Sequence, residues 1–127
     1  MEDRGLFIKP TVFSDVTDNM KIAKDEIFGP VQCLLKFKDI DEVIKRSNQT
    51  NYGLAAGVLT NDINKALLVA NNVKGGSIWI NCWDPCSPQA PFGGFKQSGF
   101  GRELGEEALR EYSEIKTVVI KAPQKNS

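Results

Sequence analysis

The chain is 127 residues long, which is the length of one domain and leaves room for a core. Its 41% hydrophobic and 25% charged residues give a globular rather than a disordered composition. Sixteen basic and sixteen acidic residues cancel, so no basic field is offered to nucleic acid or to an anionic membrane.

The opening MEDRGLFIKP lacks the apolar stretch of a signal peptide, and no apolar run approaches the roughly 18 residues of a membrane span. IKPTVFSDV (8–16) reads as a short strand entered at Pro10 and ended by Ser14 and Asp15. MKIAKDEIFG (20–29) follows as a helical turn running into a loop, and PVQCLLKFK (30–38) as an apolar strand of the kind buried on both faces. DIDEVIKRSNQT (39–50) sets Ile40, Val43 and Ile44 at helical spacing, with acids in the first turn where the helix dipole favours them.

The pattern repeats with YGLAAGVLT (52–60), a small-residue strand, and NDINKALLVANNVKGG (61–76), a helix. That helix is capped by Asp62, carries Ile63, Ala66, Leu67, Ala70 and Val73 on one face, and is stopped by Gly75 and Gly76. SIWIN (77–81) predicts a third buried strand, and a Pro- and Gly-rich loop runs from Cys82 to Gly101. A helix, RELGEEALREY (102–112), and a last strand, IKTVVIKAP (115–123), complete the chain. Alternating strands and helices with short links predict an α/β layer with mostly parallel strands. The last strand breaks that rhythm and needs a partner sheet to be ordered.

Histidine is absent, which removes the commonest general base and zinc ligand. Three cysteines, Cys33, Cys82 and Cys86, are too few and odd in number for a disulfide scaffold and fit a reducing compartment. Cys82 and Cys86 stand in C-x-x-x-C spacing with a proline between, which argues against a redox or zinc pair. Cys82 at a strand end and Cys33 within a strand read as small hydrophobes. Gly99, Gly101 and Gly105 make G-x-G-x-x-x-G, one residue longer than the dinucleotide fingerprint and without its preceding strand. They read instead as glycines that let a long loop turn and pack on backbone. Trp79, Trp83, Phe92 and Phe95 gather around the same loop, either as a ligand wall or as cover for a sheet edge. Arg102 and Glu103 read as a cap pair at the start of the helix.

Four stretches occur together in order: EIFGPV (26–31), NYGLAAGV (51–58), INCW (80–83) and PFGGFKQSGFGRELG (91–105). The set resembles the C-terminal quarter of the NAD(P)-dependent aldehyde dehydrogenase superfamily. The ending KTVVIKAPQKNS (116–127) is similar to the animal cytosolic and mitochondrial aldehyde and retinal dehydrogenases, and the resemblance runs from Gly5 to Ser127.

The resemblance implies an α/β fold: the C-terminal part of the catalytic domain over residues 1–112, mostly parallel sheet with flanking helices, then an oligomerisation strand and tail over 113–127. In that family a thiolate attacks an aldehyde, hydride passes to NAD, and a glutamate-activated water releases the acid. The cysteine lies in a Gly-Gln-x-Cys context that no cysteine here has, so no catalytic nucleophile or base is expected in this chain and the chain alone should be inactive. Glu26 matches the glutamate that binds the nicotinamide ribose hydroxyls, Phe28 its aromatic neighbour, and Asn81 a supporting asparagine at the active-site strand end. Two vicinal hydroxyls suit the two oxygens of an ionised carboxylate. Asp84, Cys86 and Phe92 match substrate-tunnel positions, with Cys86 standing where some relatives carry a bulky aromatic. The cofactor implied is NAD, with NADP as the alternative. The partners implied are an aldehyde and further copies of the chain joined through residues 113–122, as a homotetramer or a dimer, with no nucleic acid and no membrane. The compartment implied is the cytoplasm, with the mitochondrial matrix as the alternative. A non-catalytic, crystallin-like structural protein pairing through its terminal strand is the second reading, and a thiol or metal protein built on Cys82 and Cys86 the third.

Overall fold

A computed structural model describes residues 5–123. The chain runs β1 (Thr11–Phe13), α1 (Lys21–Lys24), β2 (Val31–Cys33), α2 (Ile40–Ser47), β3 (Tyr52–Gly53), β4 (Ala55–Val58), α3 (Ile63–Asn72), β5 (Ser77–Ile80), β6 (Phe95–Lys96) and a 3₁₀ helix over Glu106–Tyr112.

The two longer helices form for local reasons. Asp39 accepts from the Glu42 amide at 2.8 Å, and the Glu42 carboxylate reaches back to the Lys38 amide at 2.8 Å, a reciprocal cap at the start of α2. Asp62 caps α3 by accepting from the amides of Asn64 and Lys65. The two helices pack on each other and are tied at their C-terminal ends by Asn48. Its amide donates to the Asn72 carbonyl at 2.7 Å and accepts from the Lys74 amide at 2.7 Å.

Strands pair in three two-stranded sheets. β1 and β2 are parallel around α1, and β4 and β5 are parallel around α3 in the register Ala55–Ser77 to Val58–Ile80. β3 and β6 are antiparallel, pairing Tyr52 with Lys96 and Gly53 with Phe95. The mixed α/β character and the parallel pairs agree with the sequence.

Several expected elements are shorter or different. Tyr52 to Thr60 is not one strand: Tyr52–Gly53 turns away to meet the Gly-rich loop before Ala55 joins β5. The stretch 34–38 after β2 forms no strand and leaves Leu34 and Phe37 exposed, because no further strand among the described residues covers it. The helix expected from Arg102 begins only at Glu106, in 3₁₀ form, behind Gly105 at φ 59°. Over 113–123 the described chain forms no strand, and Ile115 is 100% exposed. A strand is defined by a partner ladder, and none of the described residues supplies one to this segment.

Burial is sparse. Among the described residues the buried hydrophobic side chains are Val16, Ala66 and Val69. The chain exposes 11,278 Å², whereas a compact monomer of this length exposes about 6,700 Å². Among the described residues each sheet has two strands, too few to close a core without a neighbour. The isolated chain is therefore expected to self-associate, with a thermal transition that moves with concentration. Sedimentation and calorimetry would contradict this if they found a monomer with a cooperative, concentration-independent transition.

Candidate functional site

Glu26 lies just beyond the single turn of α1, which closes with the Asp25 amide donating to the Lys21 carbonyl at 2.9 Å. Two tight turns follow: Gly29 donates to the Ile27 carbonyl at 2.9 Å, and Val31 to the Gly29 carbonyl at 2.8 Å. The Thr11 amide then takes the Pro30 carbonyl at 2.9 Å, fixing the end of the loop to β1. Gly29 and Pro30 thus hold a short, wound loop. Glu26 on this loop lines a cleft of about 560 Å³ together with Ala23, Ser47, Thr50, Lys74 and Ser98. Asp25 makes an exposed ion pair with Lys21 at 3.9 Å, while the Glu26 carboxylate has no ion pair or hydrogen bond among the described residues. A free carboxylate beside an open cleft suits a diol ligand. Phe28 is 93% exposed and does not line that cleft.

Asn81 ends β5 in the left-handed region at φ 56°. Its side chain accepts from the Thr60 amide at 2.8 Å and donates to the Thr60 carbonyl at 2.9 Å, while its own amide donates to Val58. It clamps the exit of β4 to the exit of β5 at the C-terminal ends of parallel strands, where α/β folds place ligands. Trp83 follows, its ring 5.0 Å from Trp79 and lying over Gly57, where a methyl group would meet it at 3.1 Å. Asp84 is again left-handed, at φ 56°, and accepts from the Cys86 thiol at 3.6 Å. Cys86 and Phe92 line one cavity of about 270 Å³ with Trp79, Pro91 and Leu104. Asp84 touches this cavity only through Cys86.

The structure therefore assembles two places rather than one. Glu26 belongs to the first, Cys86 and Phe92 to the second, and Gly75 and Gly76 stand on either side of the divide. The boundary is backbone against backbone, since a Cβ on Gly76 would run into the Gly93 carbonyl. The loop glycines Gly99, Gly101 and Gly105 all take positive φ, which bears out their reading as turn and packing glycines.

Arg102 and Glu103 are not a helix cap. Glu103 pairs backbone to backbone with Phe92, at 2.7 and 2.8 Å, and Arg102 lies over the Phe95 ring at 5.3 Å. The Arg102 guanidinium donates to the carbonyls of Gly94 and Gly101, stapling the loop. Cys82 is exposed rather than packed as a small hydrophobe, and Cys33 is half-buried with its thiol on the Ile22 carbonyl. No group of three potential metal ligands occurs among the described residues.

Sequence reasoning missed Arg46. It grips the Asp18 carboxylate in bidentate fashion, Nε to Oδ2 and Nη2 to Oδ1 both at 2.8 Å. It also reaches the Lys36 carbonyl and Glu42. That hydrogen bond holds the Asp18 carboxyl below its ordinary range and raises Arg46. The spacing of Glu42 and Arg46 was a usable signal for an intrahelical pair, but Asp18 lies 28 residues away and has no local signature.

Packing of the loop around Cys86, and then the Asp84 carboxylate, push its thiol above the ordinary range, so it stays protonated at neutral pH. Removing the negative charge favours the thiolate. With Cys82 changed to Ser, Asp84→Asn is expected to speed alkylation of Cys86 at neutral pH and to move its rate profile to lower pH. Mass spectrometry of iodoacetamide labelling checks this, and an unchanged profile would show that Asp84 does not act on the thiol.

Comparison with known proteins bears on this arrangement. The profile of the aldehyde dehydrogenase family matches residues 1–118. The chain is 66% identical over 126 residues to retinaldehyde dehydrogenase 3 of Rattus norvegicus, with 99% of this chain and 25% of that protein covered. It is 64% identical to retinal dehydrogenase 2 of Gallus gallus, with 98% and 24% covered. Among solved structures it is similar to an NAD+ complex of aldehyde dehydrogenase from Bacillus cereus, with TM-score 0.90, 54% identity, and 93% of this chain and 24% of that chain covered. The chain thus spans about a quarter of the length of the relatives it matches. It belongs to the aldehyde dehydrogenase family.

Proposed function

We propose that this chain supplies the C-terminal quarter of an NAD-dependent aldehyde dehydrogenase, which converts an aldehyde and water to a carboxylic acid while hydride passes to NAD. The family match over residues 1–118 at a quarter of the relatives' length carries this reading. The residues present fit a supporting share of the work. Glu26, a carboxylate without a partner among the described residues at the edge of an open cleft, is suited to two vicinal ribose hydroxyls, and the exposed Phe28 to packing near the nicotinamide end. NAD supplies the hydride acceptor when bound. NADP is the alternative, since a contact to the nicotinamide ribose does not tell the two cofactors apart.

Cys86 and Phe92 form part of a substrate tunnel wall, with Asp84 holding the Cys86 thiol. The nucleophilic cysteine and the base glutamate come from outside these 127 residues. Residues 113–122, extended and apolar at Ile115, Val118, Val119 and Ile120, join subunits into a homo-oligomer, for which we favour a tetramer, in the cytoplasm. The same exposed segment supports a second reading, a non-catalytic structural protein that pairs through it with full-length subunits.

The deciding experiment replaces the matching quarter of the Bacillus cereus enzyme with this chain. The chimera is expected to reduce NAD with an aldehyde, and the isolated chain is expected not to. Turnover by the isolated chain, or a folded chimera without activity, would overturn the reading. In the same chimera Cys86→Phe narrows the tunnel and is expected to shift kcat/KM toward small aldehydes by about tenfold or more. An unchanged ratio between bulky and small aldehydes would remove Cys86 from the tunnel.

A further inference from the structure

The segment that carries Glu26 cannot hold its own position. Between β1 and β2 the chain makes one helical turn, Lys21–Lys24, with no side-chain cap and no buried residue. A turn that short is not stable alone. Four attachments fix the stretch before Glu26. The Val16 amide donates to the Leu34 carbonyl at 3.2 Å, the Cys33 thiol donates to the Ile22 carbonyl at 3.6 Å, Asp18 is gripped by Arg46, and the Lys36 ammonium donates to the Asp15 carboxylate at 2.7 Å in an exposed ion pair that solvent screens.

The third attachment is the strongest by chemistry, since two charge-assisted bonds lie in one plane. Arg46 is itself locked. It projects from α2, is 20% exposed, and spends Nη1 on the Lys36 carbonyl at 2.6 Å and on Glu42 at 3.1 Å. Its fork thus joins α2, the end of the β2 segment and the loop leading into α1. Arg46 lines a cleft of about 530 Å³ with Asp18 and Phe37, and this cleft shares Ala23, Lys24, Ser47 and Thr50 with the one beside Glu26. The two clefts meet under α1.

We propose that Arg46 is a positioning residue for cofactor binding: by holding Asp18 it sets where α1 lies, and so holds the Glu26 carboxylate over its cleft. This rests on the ribose role given to Glu26 above. A lysine cannot replace the fork, because a point charge cannot hold a carboxylate bidentately and a carbonyl at once.

The test uses the active chimera and titrates NAD directly by fluorescence quenching, beside KM and kcat. Arg46→Lys and Asp18→Asn are expected to weaken NAD binding about three- to tenfold. The KM for aldehyde should stay within about twofold, the range in which these variants leave the tunnel untouched. Either change in a Glu26→Gln background is expected to add little, since both act through that carboxylate. Amide exchange over residues 20–29 is expected to rise in Asp18→Asn and not in Glu26→Gln.

If Glu26→Gln itself leaves NAD affinity unchanged, the ribose contact fails and this inference with it. If Glu26→Gln weakens NAD while Arg46→Lys and Asp18→Asn do not, or their effects add fully to it, the ribose contact stands and Arg46 is overturned as its support. Asp18→Asn decides the matter should Arg46→Lys fail to fold, because it removes one charge at nearly constant volume.

Discussion

The contact between Gly76 and the Gly93 carbonyl is the constraint on which the rest of the arrangement depends. It lets the entry of β5 lie directly on the Gly-rich loop, with no side chain between two backbones. From it follow the β3–β6 pair, with Gly76 donating to the Gly53 carbonyl, and the Phe92–Glu103 bridge beyond. Arg102 then closes the loop by taking two of its carbonyls while resting on Phe95. Close backbone approach of this kind is a reason for glycine that has nothing to do with phosphate, and it explains why a glycine-rich stretch here is architecture.

The parts legible in the sequence are those fixed by neighbours in the chain. α2 and α3 declare themselves through apolar residues at helical spacing, with acids in the first turn of α2 and Asp62 ahead of α3, and the Asp62 cap forms. β4 and β5 are short apolar runs on either side of α3, and their parallel pairing follows from that order. What was not legible depends on distant partners. Lys96 pairs with Tyr52 and sends its ammonium to the carbonyls of Asn48 and Thr50, 46 and more residues back. No periodicity near Lys96 announces that. The same holds for Arg46 and Asp18.

Motif order in the sequence names candidate residues but does not give their grouping. Motif order singles out Glu26, Phe28, Asn81, Asp84, Cys86 and Phe92, but Glu26 opens on one cleft and Cys86 with Phe92 on another cavity. Asn81 lines neither and fastens the two strand exits from which the Cys82–Gly101 loop and α3 depart. The large exposed apolar surface has the same origin as the split. Faces that a further layer of sheet would cover lie open, and the clefts between them are open for that reason.

The left-handed turn at Asn81 has a consequence for how this region can vary. At φ 56° a β-branched residue is strongly disfavoured, and accepting from the Thr60 amide while donating to the Thr60 carbonyl needs an amide side chain, so asparagine meets both demands. Three residues on, Asp84 takes the same φ with a single thiol contact, and Cys86 carries no backbone demand at all. Freedom to change therefore grows with each step away from the strand end. Substitutions can accumulate on the loop tip without loosening the strand end that carries it.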